Sequence, residues 1–127
     1  MNTVVYTHPE FERQFKRFQK KYHSLVDDFR IFLQSIKENP YQGVSLGNSL
    51  RKVRFRVSSK GGGKSGGMRV ITFQFHKRDD NNIEITLLYI YDKSEISNVS
   101  EKFIQQLLRS KWKMLTNNNS CHSERRF

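Results

Sequence analysis

The sequence predicts an α+β fold: a small, mainly antiparallel sheet of about four strands, an N-terminal hairpin of two helices and a C-terminal helix, in the order β-α-α-β-β-β-α. Three observations lead to this expectation. Two early stretches repeat apolar residues at helical spacing, the middle of the chain alternates apolar and charged residues, and a last helical pattern follows. A chain of 127 residues is about the size of one domain. We therefore expect residues 1–115 to form a single domain and residues 116–127 to be a polar, disordered tail.

The N-terminal part predicts one strand followed by two helices. Residues 3–6 form a short apolar run that suits a strand, and Thr7 is a candidate cap for the first helix. That helix carries aromatic residues on one face, at spacings of four, three and four: Phe11, Phe15, Phe18 and Tyr22. Ser24 with Asp27 is a candidate cap for the second helix, which should end before Asn39-Pro40. We interpret the aromatic face as core.

Three strands and a last helix are expected in the rest of the chain. Residues 41–49 contain two glycines and predict a loop. Residues 50–57 alternate, which places one set of side chains in the core (Val53, Phe55 and Val57) and a cationic set on the other side (Lys52, Arg54 and Arg56). A glycine-rich loop, KGGGKSGG, then leads to a strand that opens at Arg69.

The last strand, residues 83–91, is the most hydrophobic and should be central, with four residues on one face: Ile83, Ile85, Leu87 and Tyr89. Asn98 with Glu101 is expected to start the final helix. The simplest packing places all the helices on one face of the sheet.

Positive charge is concentrated in the middle of the chain. The window from Asn39 to Arg78 holds nine Lys or Arg and no Asp or Glu, which accounts for +9 of the formal net charge of +11. Such a cluster predicts affinity for a polyanion: nucleic acid, the ribosome, anionic lipid or an acidic protein. No apolar run approaches the ~18–20 residues that span a bilayer, and the N-terminus lacks a signal-peptide pattern. A single cysteine, Cys121, fits a reduced cytoplasmic setting.

The sequence favours neither a nucleotide, nor a metal, nor any other cofactor. Gly63-Lys64-Ser65 lacks the glycine that a phosphate-binding loop requires five positions earlier, where Ser58 stands, and a strand rather than a helix follows. The four histidines have no metal-like spacing.

The cationic residues suit phosphodiester chemistry on RNA, which carries its own nucleophile, the 2′-hydroxyl. An enzyme has only to orient that group, stabilise the added negative charge on phosphorus and move two protons. Arginines serve the second task and crowded lysines the third, because neighbouring cations lower a lysine pKa. The available cations are Lys52, Arg54, Arg56, Lys60, Lys64, Arg69 and Lys93. Lys52 is the crowded lysine, Lys93 is one more titratable cation, and Glu95 could act as a base or orient an arginine.

The remaining candidates would bind RNA rather than react. Tyr89 or Tyr91 could stack on a base. Four cations would dock ribosomal RNA: Arg51, Arg56, Lys60 and Lys64. The alternative from the same residues is a solvated basic face in a non-catalytic RNA- or DNA-binding module, with residues 91–95 as a polar turn.

Three segments together resemble a known family: LRKVR, SKGGGKSGGMRVITF and LLYIYDKSE. In this order and spacing they are similar to the RelE/ParE superfamily of toxins from bacterial toxin–antitoxin pairs, and most of all to its HigB-like branch. The resemblance covers about Leu50 to Glu95, and the flanking helices fit in order and length. RelE carries a tyrosine beyond its last cation, where this chain reads SEISNVS, so Tyr89 or Tyr91 would have to take the stacking role.

The resemblance implies a RelE-like fold and a metal-independent, ribosome-dependent endoribonuclease, an mRNA interferase that cuts mRNA in the ribosomal A site. Members cleave by 2′-hydroxyl attack and leave a cyclic phosphate and a 5′-hydroxyl. It also implies a cognate antitoxin, in this branch usually a helix-turn-helix protein. By motif, the basic residues of the family correspond to Lys52, Arg54, Arg69 and Lys93, with Glu95 nearby. The runner-up within the superfamily is a ParE-like inhibitor of DNA gyrase.

Overall fold

The computed structural model describes residues 2–60, 67–76, 81–116 and 125–126, with the backbone alone for Asn2, Lys60, 111–116 and 125–126. This part of the chain forms three helices: α1 (Pro9–Lys21), α2 (Leu25–Glu38) and α3 (Glu101–Thr116). It also forms six strands: β1 (Asn2–Thr7), β2 (Val44–Gly47), β3 (Leu50–Phe55), β4 (Met68–His76), β5 (Asn82–Asp92) and β6 (Arg125–Arg126). A short 3₁₀ helix, Ser58–Lys60, follows β3. The predicted α+β class is confirmed.

All the described strands belong to one sheet with the order β2-β3-β4-β5-β1-β6. Neighbouring strands are antiparallel except for β1 and β5, which run parallel. β5 has a neighbour on both sides, as its hydrophobic sequence predicts. Of the predicted tail, residues 117–124 and 127 lie outside the described part, and Arg125–Arg126 pair with the edge of β1.

The loop predicted for residues 41–49 is wrong, because it contains β2. Val44 lies opposite Lys52 and Ser45 opposite Arg51, so β2 and β3 form a hairpin. Positive φ angles at Gly47, Asn48 and Ser49 close the turn between the two strands. With only four residues, all exposed, β2 carries no alternating pattern that the sequence could reveal.

The helices cover both faces of the sheet, which corrects the expectation that they share one face. A first core joins α1 and α2 to β3, β4 and β5, and it includes Phe11, Phe29 and Phe55. A second core on the opposite face joins α3 to the same strands through Ile104, Leu107 and Leu108, which pack with Leu50, Ile71, Leu88 and Tyr91. An amphipathic pattern shows which side of a helix is buried, but not which face of a sheet receives it.

A bulge in β5 changes which of its residues share a face. Ile71 lies opposite Tyr89 and Thr72 opposite Leu87, so Leu88 is an additional residue in β5. Beyond the bulge, Ile90 points into the first core and Tyr89 packs against the second. The expectation that Tyr89 shares a face with Ile83, Ile85 and Leu87 is therefore wrong.

The helix caps also differ from those predicted. His8, rather than Thr7, caps α1, because its Nδ1 accepts a hydrogen bond from the Glu10 amide. Ser24 stands at the start of α2 but caps it with no side-chain hydrogen bond, and donates instead to Asp28. Ser100, rather than Asn98, accepts from the Phe103 amide at the start of α3.

Buried polar contacts tie the elements together. His8 is 4% exposed, and since its Nδ1 accepts a hydrogen bond, its Nε2 donates to the Leu107 carbonyl oxygen at 3.1 Å. This contact links the start of α1 to α3 across the end of β1. No described helix has both the length and the apolar composition that crossing a membrane requires.

Candidate nucleic-acid interface

The sheet brings three of the predicted catalytic cations together on one face. Arg54 lies directly opposite Arg69 on β4, and Lys52 lies opposite Ile71. Both β3 cations alternate with residues of the first core, so they share the face of the second core with Arg69. Arg54 is exposed, while Lys52 and Arg69 are half-buried. We call Lys52, Arg54, Arg69 and Lys93 the cation cluster.

The second core ends before the cation cluster begins. On β4, Ile71 belongs to that core and packs with α3, whereas Arg69, two residues earlier on the same face, is only half-buried. Tyr91 lies opposite Arg69 on β5 and closes the apolar region. Strict alternation therefore holds through Arg69 with no bulge in the β3–β4 pairing, and the arginine lies at the rim of the core rather than inside it.

Two guanidinium groups directly opposite each other repel, and this costs folding free energy. The segment that contains both arginines, residues 39–78, has no Asp or Glu that could offset this repulsion. Two like charges placed opposite each other in a sheet are typical of a functional site, here one for an anion. The three arginines of α1 and α2, in contrast, have acidic partners: Arg13 with Glu10, Arg17 with Glu95, and Arg30 with Asp27.

Gly67 makes room for the Arg69 side chain. The Arg69 guanidinium turns back and donates from Nη1 to the Met68 carbonyl oxygen at 3.0 Å. A β-carbon on Gly67 would lie 2.9 Å from that same Nη1 and 3.9 Å from Cγ of Arg54. Both arginine side chains thus approach a position that has no side chain of its own, and a β-carbon there would displace the Arg69 guanidinium.

Lys93 joins the cluster through its backbone. Its amide donates to the Gly67 carbonyl oxygen at 3.4 Å, which places it beside the residue that the two arginines approach. The Lys93 side chain is exposed. All four cluster residues therefore surround the start of β4.

A buried carboxylate holds the turn that carries Lys93. Asp92 is fully buried, and its Oδ2 accepts a hydrogen bond at 2.7 Å from the hydroxyl of Tyr22, the residue that directly follows α1. Its Oδ1 accepts from the amide and the hydroxyl of Ser94, and its carbonyl oxygen accepts from the amides of Glu95 and Ile96. Burial, together with the hydrogen bond to Asp92, raises the pKa of Tyr22 to about 12.

Glu95 does not contact the cation cluster. Both of its carboxylate oxygens accept hydrogen bonds from Arg17 of α1, at 3.1 and 2.7 Å. These bonds lower the pKa of Glu95, which makes it a weaker base. Glu95 therefore does orient an arginine, but that arginine is Arg17, which the sequence did not suggest.

The predicted docking residues separate into three groups. Arg56 is exposed beyond the end of β3, and alternation places it on the side of Arg54. Arg51 points to the opposite face, where it donates to the Gly43 carbonyl oxygen at 3.2 Å and lies over the Tyr41 ring. Lys64 and the Lys60 side chain lie outside the described residues.

Of the two tyrosines that could stack on a base, only Tyr89 has a side chain that is partly accessible to solvent. Tyr91 is 2% exposed, whereas Tyr89 is half-buried. The Tyr89 ring stacks on Tyr91 at a centroid distance of 6.3 Å and meets Phe103 of α3 edge-on at 4.9 Å. Burial raises the pKa of the Tyr89 hydroxyl, and the Glu10 carboxylate adds to this effect. Tyr89 thus offers an aromatic surface beside Phe103 of α3, next to the row of Arg54, Arg69 and Tyr91.

Sequence reasoning missed the residues that support the site from α1 and β5. Arg17 and Tyr22 looked like a surface charge and a core aromatic, and Asp92 like part of a polar turn. One signal was present: an aspartate that directly continues a strongly hydrophobic strand is prone to burial, and a buried carboxylate needs partners.

The chain matches no protein-family model.

Proposed function

We propose that this protein is the toxin of a type II toxin–antitoxin pair and acts as a ribosome-dependent endoribonuclease that cleaves mRNA and so inhibits translation. The observation that carries the proposal is the cation cluster, which gathers two opposed arginines and two lysines at the rim of the second core beside the half-exposed ring of Tyr89. The three-part sequence resemblance supports it, since the matching residues are those that the sheet brings together. A helical hairpin, a central sheet and a C-terminal helix also suit a RelE-like layout.

The cluster suits transfer of the phosphoryl group to the neighbouring 2′-hydroxyl. The 2′-oxygen forms a bond to phosphorus as the bond to the 5′-oxygen breaks, which leaves a 2′,3′-cyclic phosphate and a 5′-hydroxyl. Arg54 and Arg69 stabilise the charge that develops on the non-bridging oxygens, because their planar forks donate to two oxygens at once. The neutral amine of one of the two lysines, Lys52 and Lys93, accepts the proton of the 2′-hydroxyl, and the ammonium group of the other donates a proton to the departing 5′-oxygen.

Tyr89 provides the contact for a base. Its ring is one residue from the bulge and next to Phe103, so a splayed nucleotide could stack on it while its phosphate faces Arg69. Arg56 extends the positive surface for docking on ribosomal RNA. The expected partners are mRNA in the A site, the ribosome and a cognate antitoxin with a helix-turn-helix fold.

Primer extension on a reporter mRNA, with and without ribosomes, tests the proposal. We expect cuts within the reading frame only when ribosomes are present, and loss of cleavage by about 10²-fold or more in Arg69→Ala and Lys93→Ala. Both variants should still co-sediment with ribosomes. Arg30→Ala is the matched control, because it removes an exposed cation of α2 that pairs with Asp27.

Two outcomes would contradict the proposal. Binding that weakens by a similar factor with each cation removed, without any cleavage by the parent protein, would indicate a non-catalytic RNA- or DNA-binding module. Intact mRNA together with accumulating gyrase–DNA breaks would indicate a ParE-like inhibitor. Parent-level cleavage by Arg69→Ala and Lys93→Ala together would keep the activity but refute the assigned site.

A further inference from the structure

We propose that Arg17 and Glu95 are positioning residues for the candidate site: their ion pair fixes the turn that carries Lys93 to helix α1. The inference rests on the proposed function for its activity readout. Glu95 then acts by binding Arg17 and not as a base. Helix α1 contributes to the site although it lies on the other face of the sheet.

Two side-chain contacts tie the turn after β5 to α1 and its C-terminal end, and Lys93 lies between them. The first contact is made by Asp92, which is buried and bonded to Tyr22, the residue that directly follows α1. The second is made by Glu95, which is bonded through both oxygens to Arg17, one helical turn and a half before Tyr22. One contact is made by α1 and the other by the residue that directly follows it, so this helix helps to fix the turn in addition to the bond from the Lys93 amide to the Gly67 carbonyl oxygen.

The Arg17 guanidinium is organised for this contact. Its Nε donates to Oε1 of Gln14 at 3.1 Å, and the group lies 4.2 Å from the centre of the Phe18 ring. Most exposed ion pairs contribute little, because two long side chains lose conformational freedom on pairing. Here a ring and an amide restrict the arginine beforehand, and both oxygens of the carboxylate are engaged, so the pair is of the stronger, bidentate kind.

The same contacts argue against Glu95 as a general base. Its two oxygens are both occupied by Arg17, and the lowered pKa reduces its proton affinity. Its described hydrogen bonds lead to α1, whereas the cation cluster surrounds the start of β4. A base should lie within hydrogen-bond distance of the 2′-hydroxyl, and nothing places Glu95 there.

Exchanging the charges of the pair separates positioning from catalysis. The four proteins are the parent, Arg17→Glu, Glu95→Arg and the double variant. Cleavage is measured in single turnover at saturating ribosome concentration, so that weaker binding does not enter. We expect each single variant to cleave about 5- to 10-fold more slowly, because the turn shifts by a fraction of an ångström, and the double variant to recover to within about 2-fold of the parent.

The pair formed by Arg30 and Asp27 is the matched control. It joins an exposed arginine to an exposed carboxylate at 3.2 Å on α2, the helix that does not carry Arg17. Arg30→Glu changes the net charge as Arg17→Glu does, so any general electrostatic effect on RNA appears in both. We expect Arg30→Glu and its double variant with Asp27→Arg to cleave at the parent rate.

Amide hydrogen exchange of Glu95 and Ile96 gives a readout that requires no RNA. Both amides donate to the Asp92 carbonyl oxygen, so they report directly on the turn. We expect faster exchange in each single variant and restored protection in the double variant. A double variant with restored protection that still cleaves slowly would show that Glu95 or Arg17 takes part in the chemistry.

The proposal would also be overturned by single variants that cleave and exchange as the parent does, since the turn would then be held without the pair. A parent protein that cuts no mRNA refutes the proposed function, and the exchange measurement then decides the structural part alone.

Discussion

Replacing Gly67 by alanine should damage the candidate site without damaging the fold. The new methyl carbon would lie 2.9 Å from Nη1 of Arg69, whereas ordinary contacts begin near 3.4 Å. The nearest backbone atom, the Phe55 carbonyl oxygen, is 3.8 Å away and tolerates the methyl group. The guanidinium must therefore retreat by roughly 0.5–1 Å, while the strands stay in place. A displacement of that size at a reacting centre can lower a rate by about 10- to 100-fold.

The assay combines single-turnover cleavage of ribosome-bound mRNA with urea unfolding. We expect Gly67→Ala to lose about 10-fold or more in cleavage and to change the free energy of unfolding by less than about 0.5 kcal/mol. Gly47→Ala should behave in the opposite way. Gly47 has a φ of +83° and nothing within 4 Å of its Cβ position, so alanine there costs about 1 kcal/mol of stability and leaves cleavage unchanged.

The reasoning would be refuted by a Gly67→Ala variant that folds and cleaves as the parent does. Such a result would mean that the position of the Arg69 guanidinium is irrelevant to the reaction. A variant that loses both stability and cleavage would show that the methyl group disturbs the strands instead of the arginine side chain.

Three further predictions concern the fold and the charge of the site. Tyr22→Phe should lose about 1–3 kcal/mol of stability at pH 8, because buried Asp92 loses a donor. In the parent, a Tyr22 pKa raised to about 12 gives stability that is complete below pH 10 and falls by about 2 kcal/mol as the pH rises to 12; urea unfolding of Tyr22→Phe should lack this fall, and an equal fall in both proteins would contradict it. His8→Leu removes the donor to the Leu107 carbonyl oxygen and should cost about 1–3 kcal/mol, seen as a lower urea midpoint; an unchanged midpoint would show that the contact is not needed to dock α3. Arg54→Ala should lower the slope of log affinity for RNA against log salt concentration by about 1, and an unchanged slope would exclude a phosphate contact at this residue.

Alternation predicted the strand that matters most to the site. Val53, Phe55 and Val57 are buried, while Arg54 and Arg56 are exposed, because a half-buried strand imposes a period of two on its own sequence. The aromatic face of α1 was predicted for the same reason. Both are local patterns, in which the residues of one element suffice to show its buried side.

What the sequence could not reveal depends on pairing between distant segments. The bulge at Leu88 exists only relative to β4, and the face that receives α3 depends on where the loop after β5 leads. The ion pair of Arg17 with Glu95 joins residues 78 positions apart, and neither residue differs in type from other surface charges. Lys52, Arg54 and Arg69 were grouped by residue type; their actual proximity follows from the β3–β4 register.

One face of the sheet carries the larger core and the other carries the candidate site. This arrangement explains why Arg69 can stand at a position of β4 where the alternating pattern otherwise places apolar residues. The first core is continuous across β3, β4 and β5, and the aromatic residues of α1 and α2 fill it. The second core is smaller and stops at Tyr91 and Ile71, so the same face that holds α3 leaves the start of β4 open. Arg69 continues the alternation of β4 into this open region, where its side chain reaches solvent and its backbone remains in the sheet. A rigid strand thus presents the guanidinium, and α1 holds the turn of Lys93 from behind. A site built in this way can lose an exposed cation without unfolding, so variants of the cluster are informative about chemistry rather than about folding.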